Sequence, residues 1–507
     1  MKILFVAAEV APFVSIGGLS QVMYSLPRAL IRLGHDVRIF TPKYGTMDTN
    51  ESEEKHWQLS MEYEGLAVPI AHANNGKKQK EDVLICNVKS YFSEKDNLMA
   101  YFLENREYYE LRANVFGYMD DHVRFALLSK GCLEWLLQAK EKKDAWWPDI
   151  IHCNDWHTGY LIELARTDKR YKEAFAKTSI VYTVHNFSFQ GNFDFRYAHK
   201  SDKDDGTSSL EPLTSGKLQK QNALLRGILY ADAINTVSPT HAIEVLTPEY
   251  AEGLENVLVK VRKKLTGILN GIDVKEFDPA HDPLIKKLFT SQTFTKDRVE
   301  NKKDLQNIFG LPVDPNRPLL AIAGRLSPQK GWDLLLETLP HLFDNRLDIQ
   351  LVVLGTGENR YRERLQVLAE KYPRQLGLYL QSDFKLSHKL FAGADMFLVP
   401  SYFEPGGIVA LEALRFGSVP IVRRTGGLND IIKDFDGEEG SGNGFSFLAK
   451  DPWAFYGAIV EALTFYNQPT LWKKLIKNCM SSDFSWDHAA KEYEKWYGYL
   501  KIYESRP

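Results

Sequence analysis

Short runs of apolar residues recur along the whole chain, each followed by a glycine-containing or polar loop and then by a stretch with helical periodicity. Such runs predict buried parallel strands, and the stretches after them predict the helices that cover the sheet. The predicted strands are residues 2–7, 37–40, 149–153, 180–184, 233–237, 319–323, 349–354, 378–380 and 396–399. The same alternation in both halves predicts an α/β fold with two doubly wound, Rossmann-like domains that face a cleft.

The pattern also predicts the limits of the domains. The strand and turn at residues 267–273 predict a hinge, so we expect an N-terminal domain over residues 1–265 and a C-terminal domain over residues 266–485. Residues 486–507 begin with an aromatic amphipathic pattern, and we expect a helix that packs back on the N-terminal domain.

Two further stretches carry weaker signals. Residues 100–138 predict a largely helical, aromatic stretch that covers one face of the first sheet. Residues 200–209, which read KSDKDDGTSS, predict a solvated and mobile loop.

Composition narrows the functional classes. A chain of 507 residues with 44% hydrophobic content is too long for a single core. Its formal net charge of −3 provides no global field for nucleic acid or an anionic membrane, so we expect neither as a partner. No apolar stretch reaches about 18 residues, and Glu9 interrupts the first apolar run, which predicts a first strand rather than a signal peptide. The four cysteines are scattered, which argues against a zinc site or disulfides and fits a cytoplasmic protein.

One strand, turn and helix, predicted over residues 396–416, carries the strongest chemical signal. Gly406 and Gly407 let the backbone approach a ligand closely, and the free N–H groups at the helix start attract an anion such as a diphosphate. Glu404 lies at the rim of that anion site, where a carboxylate accepts hydrogen bonds from sugar hydroxyls. A buried Glu tied into the turn is the alternative interpretation.

A second loop supplies two cations. Arg325 and Lys330 are five residues apart on the loop that follows the predicted strand at 319–323. Because they follow the carboxyl end of a strand, they are candidates for a clamp on a diphosphate leaving group. Solvated surface charges are the alternative explanation. No Asp-x-Asp motif occurs at a comparable site, so we expect no metal ion and assign charge neutralisation to the cations and the helix dipole.

The first half of the chain offers a glycine loop and a group of polar residues. Gly17 and Gly18 lie in the first strand-to-helix loop, where Rossmann-like domains place phosphate. Four polar residues directly follow two later strands: Asp155, His157, His185 and Asn186. The carboxyl ends of parallel strands are where open α/β sheets bind ligands, although a single histidine is more often a satisfied core residue.

With these residues in view, the chain resembles the bacterial glycogen synthases and plant starch synthases over essentially its full length. The matching segments, in the family's order, are AAEVAPFVSIGGL, HCNDWHTG, TVHNFSFQG, YADAINTVSPT, ILNGID, AGRLSPQKGWDL, VVLGTGE, AGADMFLVPSYFEPGGIVALEA and VRRTGGLND. The resemblance implies the GT-B architecture and no cofactor. It also implies that glucose passes, with retention of configuration, from ADP-glucose (or UDP-glucose in related enzymes) to the non-reducing end of an α-1,4-glucan.

The resemblance implies a site for the leaving diphosphate. Arg325 and Lys330 would hold it, and the backbone N–H groups after Gly406, at Gly407 and Ile408, would complete the cradle. The family has Cys at the position of Gly406 and Leu at the position of Ile408, and both changes preserve the backbone's role.

The resemblance also implies a site for the sugars. Glu404 would bind hydroxyls of the donor sugar, Asn270 would position the glucose, and His185 and Asp155 would line the sugar and acceptor site. Because no second carboxylate is apparent across the ring, the pattern favours same-face attack assisted by the departing phosphate.

Two loops depart from the family pattern. The family's first loop reads KxGGLGD, whereas this chain has Ser15 for the lysine and Ser20-Gln21 for the Gly-Asp pair. One cation is therefore missing from the predicted phosphate site. Bacterial members have a Gly-Tyr pair, with the Tyr beside the adenine, and the closest positions in this chain are Gln381 and Ser382. We keep Ser15 and Ser382 as donor-site candidates and leave the donor base open.

Three functions remain open at this point. The first is an active α-glucan synthase with ADP-glucose or UDP-glucose as donor. The second, suggested by the changed base pocket, is a retaining GT-B transferase with another donor or acceptor. The third, suggested by Ser15, is a glucan-binding or initiating protein with little transfer activity.

Overall fold

The computed structural model describes residues 1–49, 57–70, 82–142, 145–191, 193–345 and 347–504. Its contacts divide the chain into two compact units. Unit 1 comprises Met1–Val237, Ala242–Ile268 and Trp486–Pro507, and unit 2 comprises Ser238–His241 and Leu269–Ser485. Each unit has its own hydrophobic core. Within the described ranges, no helix is long and apolar enough to cross a bilayer.

Unit 1 is built on a sheet of nine strands. The strands are β1 (Lys2–Val6), β2 (Asp36–Pro42), β3 (Ser60–Pro69), β4 (Val83–Ser93), β5 (Leu98–Glu104), β6 (Ile150–Asn154), β7 (Ser179–Val184), β8 (Ala233–Thr236) and β9 (Leu265–Gly267). Their order is β3-β4-β5-β2-β1-β6-β7-β8-β9. All neighbours from β5 to β9 in that order are parallel, whereas β4 is antiparallel to both β3 and β5.

Helices complete unit 1. They are α1 (Gly18–Arg32), α2 (Thr46–Thr49), α3 (Asp121–Lys140), α4 (Gly159–Thr167), α5 (Ala223–Tyr230), α6 (Pro239–Glu244, shared with unit 2), α7 (Glu255–Val261) and, at the C-terminal end, α16 (Trp486–Glu504). The buried residues of α1 recur at helical spacing, from Leu19 to Leu30, as expected for a helix that covers a sheet.

Unit 2 is built on a six-stranded parallel sheet. Its strands are β10 (Leu319–Ala323), β11 (Gln350–Leu354), β12 (Leu376–Tyr379), β13 (Met396–Val399), β14 (Val419–Arg423) and β15 (Phe445–Phe447), in the order β12-β11-β10-β13-β14-β15. Its helices are α8 (Phe294–Ile308), α9 (Trp332–Asp344), α10 (Asn359–Lys371), α11 (Phe384–Gly393), α12 (Ile408–Arg415), α13 (Gly426–Ile431), α14 (Pro452–Tyr466) and α15 (Pro469–Ser481). The predicted α/β class with two Rossmann-like domains is confirmed.

Each sheet has a point at which the winding of the chain reverses. In unit 1 the chain leaves β1 toward β2 and later returns to β6 on the other side, and in unit 2 β10 and β13 have the same relation. At such a point the loops from the two strands diverge and leave a crevice at the carboxyl ends. The strand order alone therefore directs attention to the loops after β1, β6, β10 and β13.

Two of the sequence predictions need correction. Residues 100–138 are helical only in part, because β5 occupies Leu98–Glu104 and the long helix α3 begins only at Asp121. The run AYFLE pairs with strands on both sides, which outweighs the helical spacing. Most of residues 201–209 are exposed, but the Asp204 side chain is only 3% exposed and binds the fully buried Arg226 with both oxygens. The prediction of a solvated loop is wrong at Asp204.

A buried polar network attaches α16 to the sheet of unit 1. The Nδ1 and Nε2 atoms of His152 on β6 lie 2.6 Å from the Tyr497 hydroxyl and from the Thr183 hydroxyl. Asn235 on β8 donates to the Tyr493 hydroxyl over 2.9 Å. Burial holds the pKa of His152 well below its usual range, so the ring is neutral and both its nitrogens need a partner.

Replacing Tyr497 with Phe is expected to lower the free energy of unfolding by about 1–3 kcal/mol, because a His152 nitrogen is then buried without a partner. Urea denaturation followed by circular dichroism measures the change. Tyr499→Phe, at a position on the same helix that is 63% exposed, is the control and should stay within about 0.5 kcal/mol of the wild type. Equal stability of the two variants would contradict a stabilising role for the network.

Candidate active site

In unit 2 the loops after β10 and β13 bring Lys330 and Glu404 into contact. The Lys330 ammonium lies 2.5 Å from Oε2 of Glu404, and the Ser401 hydroxyl donates to the same oxygen over 3.1 Å. The Glu404 side chain is 12% exposed, so this ion pair is largely shielded from water. The other oxygen, Oε1, forms no hydrogen bond with the described residues. Glu404 is thus tied into its turn and still presents one free acceptor.

Arg325 follows the same strand as Lys330 but has a different environment. Its residue is exposed, and its guanidinium forms no hydrogen bond or ion pair with the residues that the structure describes. Only its backbone is engaged, since the carbonyl accepts a hydrogen bond from the Trp332 indole over 2.9 Å. A free, always charged guanidinium beside a paired lysine gives this end of the sheet an available cation.

The start of α12 supplies backbone N–H groups. The helix begins at Ile408, no side chain caps it, and its first turn has no acidic residue. The first N–H groups of such a helix lack intrahelical partners and favour an anion. Gly407 has φ of +67°, a conformation that side chains other than glycine's rarely adopt. The strand-turn-helix that the sequence predicted therefore has the geometry of an anion site.

Close packing of the backbone is a second reason why glycine is required in and around this turn. A Cβ on Gly407 would lie 3.1 Å from the backbone nitrogen of Leu428. A Cβ on Gly426 would lie 2.3 Å from the carbonyl oxygen of Glu404, and one on Gly427 would lie 2.4 Å from that of Gly406. The turn after β13 and the start of α13 therefore interlock through glycine backbone, which fixes the turn that bears Glu404.

The other two predicted residues of unit 2 have contrasting environments. Asn270 is 4% exposed, and its Oδ1 is buried without a hydrogen-bond partner among the described residues. Ser382 is exposed in the loop after β12, directly before Asp383, which caps α11 by accepting a hydrogen bond from the Leu386 N–H. Among the described residues, no hydrogen bond ties Ser382 to the Lys330 and Glu404 contact.

In unit 1 the glycine loop after β1 is closed by an internal carboxylate. Glu9, only 4% exposed, accepts hydrogen bonds from the N–H groups of Ile16 over 2.7 Å and Gly17 over 3.0 Å. These are two of the N–H groups that a phosphate loop would offer to a ligand. The loop is therefore a smaller anion site than its glycines predict, and the uncapped first turn of α1, from Gly18, provides the remaining donors.

Ser15 takes part in the same closure. Its hydroxyl lies 2.9 Å from the Ser20 hydroxyl, which donates to the Gly17 carbonyl over 2.7 Å. Since the Ser20 proton is used in that bond, Ser15 donates to Ser20. The two serines that depart from the family pattern thus bind each other, and Ser15 itself is exposed at the loop surface.

Asp155, at the carboxyl end of β6, has a strained backbone. Its φ of 55° and ψ of 177° define a region that is almost restricted to glycine and costs on the order of 1–3 kcal/mol. The carboxylate Oδ1 accepts a hydrogen bond from the His185 N–H over 2.8 Å. Burial raises the pKa of Asp155 to about 7, although hydrogen bonds from the His185 and Asn186 N–H groups oppose the rise. Such strain and such a pKa are typical of functional sites.

The hydrogen bonds of Asn154 determine the tautomer of His185. The Asn154 amide nitrogen donates to the carbonyls of Val6 and His152, each over 3.2 Å, so its oxygen faces the His185 Nε2 at 3.1 Å. Nε2 therefore carries the proton and Nδ1 carries the lone pair. Burial lowers the pKa of His185 to about 4, so at neutral pH the ring is uncharged and accepts a hydrogen bond at Nδ1.

Two polar side chains near these residues have different roles. His157 is buried among the rings of Phe116, Phe125 and Trp156, and burial lowers its pKa to about 3, so it belongs to the core. Asn186 accepts a hydrogen bond from the Ser188 N–H over 2.9 Å and shapes the turn. Within the described ranges, no three His, Cys, Asp or Glu side chains are placed to hold a metal ion.

Sequence reasoning missed Glu9 and Asn154 as site residues. Glu9 appeared only as a charge that interrupts an apolar run, and Asn154 only as the end of a strand. A carboxylate shortly before a glycine loop was the available signal for Glu9, because loop N–H groups need acceptors. The role of Asn154 depends on carbonyls from two strands, which the sequence does not bring together.

The chain is similar to known proteins over nearly its whole length. Residues 2–260 match the family described as "Starch synthase catalytic domain", and residues 304–478 match "Glycosyl transferases group 1". The glycogen synthase of Clostridium kluyveri is 37% identical, over 98% of this chain and 99% of that protein. The glycogen synthase of Lactobacillus acidophilus is also 37% identical, over 99% of this chain and all of that protein.

Solved structures lead to the same family. The catalytic domain of starch synthase IV from Arabidopsis thaliana, bound to ADP and acarbose, is similar with a TM-score of 0.80 and 31% identity, and the match covers 98% of this chain and 99% of that one. Sucrose-phosphate synthase from Thermosynechococcus elongatus shares the fold alone, with a TM-score of 0.57 and 17% identity over 99% of both chains. The chain therefore belongs to the glycogen synthase and starch synthase family of GT-B glycosyltransferases.

Proposed function

We propose that this protein is an α-glucan synthase that transfers glucose, with retention, from ADP-glucose or UDP-glucose to the non-reducing end of an α-1,4-glucan. One observation carries the proposal most directly. At the winding reversal of unit 2, a free guanidinium, a lysine and an uncapped helix start accompany a carboxylate with one free oxygen. Positive groups suit a diphosphate, and the free Glu404 oxygen suits a sugar hydroxyl.

The proposed chemistry is a displacement at the anomeric carbon. The bond from that carbon to the donor's phosphate oxygen breaks as the acceptor's 4-hydroxyl oxygen forms the new bond on the same face. The hydroxyl proton passes to the departing phosphate, so no enzyme nucleophile is needed. Arg325, Lys330 and the N–H groups of α12 stabilise the negative charge that grows on the diphosphate. Lys330 would then be shared between Glu404 and the phosphate.

The remaining residues would orient the sugars. The lone pair at Nδ1 of His185 accepts a hydrogen bond from a sugar hydroxyl, and the Asp155 carboxylate fixes the backbone of that loop. The unpaired Oδ1 of Asn270 is an acceptor that a sugar hydroxyl satisfies, which removes the cost of a buried polar atom without a partner. Gly17, Gly18 and Ser15 would approach the donor from the first loop, and Ser382 would face the base.

A second candidate is a glucan-binding or initiating protein with little transfer activity. The observation in its favour is the first loop, in which Glu9 occupies two N–H groups and Ser15 replaces a lysine. We regard it as secondary because the cations and Glu404 of unit 2 are intact. We also propose a cytoplasmic location, which is supported by four cysteines that are all free and buried.

A donor panel tests the proposed function. The wild-type protein is incubated with glycogen and radiolabelled ADP-glucose, UDP-glucose or other nucleotide sugars, and label in the polymer is measured. We expect transfer from ADP-glucose or UDP-glucose, with the product digested completely by an enzyme specific for α-1,4 linkages. Absence of transfer from every donor, with glycogen binding retained, would favour the binding protein instead.

Replacing Arg325 with Ala is expected to lower turnover about a hundredfold or more, because it removes charge stabilisation from the transition state. The melting temperature should not change, since the guanidinium forms no hydrogen bond or ion pair with the described residues. Arg360→Ala is the matched control, because Arg360 is also an exposed arginine of unit 2, whose guanidinium bonds Glu358 and the Tyr361 hydroxyl. Equal turnover in the two variants would exclude Arg325 from the clamp.

Replacing Ser15 with Lys is expected to lower the donor KM about tenfold. A charge-assisted hydrogen bond to phosphate contributes roughly 1.5–3 kcal/mol, and the nearby Glu9 carboxylate and the lost Ser20 contact offset part of it. Ser15→Ala controls for the loss of the serine contact and should leave KM near the wild-type value. A donor KM in Ser15→Lys that equals or exceeds that of Ser15→Ala would mean that the loop does not approach the phosphates.

A further inference from the structure

A buried arginine lies at the carboxyl end of β14, beside the strand that leads to Glu404. Arg423 is the last residue of β14 and is only 3% exposed. Val422, directly before it, pairs with Val399 at the end of β13. Because a charged side chain is rarely buried to this extent without several partners, its hydrogen bonds indicate its role.

The Arg423 guanidinium joins the ends of the two strands that flank β14. Its Nε donates to the Ser401 carbonyl over 2.9 Å, and its Nη2 donates to the Tyr402 carbonyl over 2.6 Å. Its Nη1 donates to the Leu448 carbonyl over 3.3 Å. The first two carbonyls follow β13 and the third follows β15. Because the nitrogens of a guanidinium lie in one rigid plane, these bonds fix the carbonyls relative to one another.

A second side chain holds the same turn from the loop after β10. Nε2 of Gln329 donates to the Phe403 carbonyl over 3.1 Å, and the Gln329 carbonyl accepts a hydrogen bond from the Tyr402 N–H over 2.8 Å. Gln329 directly precedes Lys330 in the chain. Each carbonyl from Ser401 to Phe403 therefore has a donor, and no peptide plane of the turn rotates without breaking one of these bonds.

Fixing this turn also fixes Glu404, which is the next residue. The Ser401 hydroxyl and the Lys330 ammonium both bind Oε2 of Glu404, and these contacts require the turn to keep its position. A displacement of about 1 Å at a reacting site can cost on the order of a hundredfold in rate. The three hydrogen bonds of Arg423 to carbonyls are thus linked to the geometry of the candidate site.

We propose that Arg423 is a positioning residue that locks the turn after β13 and thereby holds Glu404 in contact with Lys330. It acts through the backbone and does not contact the donor or the acceptor. A lysine does not replace it, because one ammonium group does not span carbonyls at the ends of two strands. The effect of Arg423 on turnover rests on the proposed function, whereas its effect on the position of Glu404 does not.

Kinetics of Arg423→Lys test the proposal, because lysine keeps the charge and loses the planar set of donors. We expect turnover to fall about tenfold or more and the KM for glycogen to stay near the wild-type value, since Glu404 acts in the transition state. Arg424→Lys is the matched control. Arg424 is the next residue, and its side chain is 47% exposed and bonds Ser446 and Asp434. Its turnover should equal that of the wild type.

A second mutation separates positioning from a general loss of stability. If Arg423 acts through the Glu404 carboxylate, Arg423→Lys should lower the turnover of Glu404→Gln less than about twofold. In Arg325→Ala, where the turn is intact, it should keep its full effect. Equal losses in the two backgrounds would overturn the proposal. If Arg423→Lys does not fold, Gln329→Leu removes the other side-chain anchor of the turn and should show the same dependence on Glu404.

Crystal structures of the wild type and Arg423→Lys, or Gln329→Leu in its place, test the positioning without an assay. We expect Nζ of Lys330 and Oε2 of Glu404, which lie 2.5 Å apart, to move beyond hydrogen-bonding distance in the variant. An unchanged turn and ion pair would overturn the proposal even if turnover falls. If the wild type transfers glucose from no donor, the proposed function fails, and this comparison alone decides the role of Arg423.

Discussion

The close approach of two backbone segments at Gly331 determines the geometry on which the site of unit 2 depends. Gly331 has φ of +73°, and a Cβ there would lie 2.0 Å from the carbonyl oxygen of Pro400. The loop that ends in Lys330 is therefore pressed against the end of β13, from which Glu404 follows. On the other side, Gly426 and Gly427 touch the carbonyls of Glu404 and Gly406. The ion pair of Lys330 and Glu404 is held between these two glycine contacts.

This arrangement explains what the sequence could and could not predict about the site. Arg325, Lys330, Glu404 and the start of α12 were identified because each follows a short apolar strand, and the ends of parallel strands converge. The glycines of the turn were assigned to ligand approach, whereas Gly407 also has to accommodate α13, which begins 19 residues later in the chain. A contact between segments so far apart leaves no local pattern, and the pairing of Lys330 with Glu404 has the same cause.

The fold shows the same division between local and distant information. Buried strands such as β10 and β13 were predicted to the residue, since uninterrupted apolar runs and flanking glycines are local signals. The antiparallel strands β3 and β4 were not predicted, because their exposed and buried positions alternate irregularly around two register shifts. The buried pair of Arg226 and Asp204 was hidden for another reason. A run of charged residues predicts a solvated loop, and only the folded structure shows that a distant residue pairs with one of the charges.

The candidate site residues of the two units differ in the sign of their charge. This difference gives each unit a separate task in the proposed reaction. Unit 2 offers Arg325, Lys330 and a helix start, which suit an anionic leaving group. Unit 1 offers Glu9 and Asp155 at its winding reversal, with raised pKa values that follow from burial, and a neutral His185. These groups are poor partners for phosphate and good partners for hydroxyls. The departures at Ser15 and Ser20 extend that trend, because they replace a cation by a closed chain of neutral hydroxyl contacts. In the proposed function, charge stabilisation therefore falls to unit 2, and unit 1 is suited to recognising sugar.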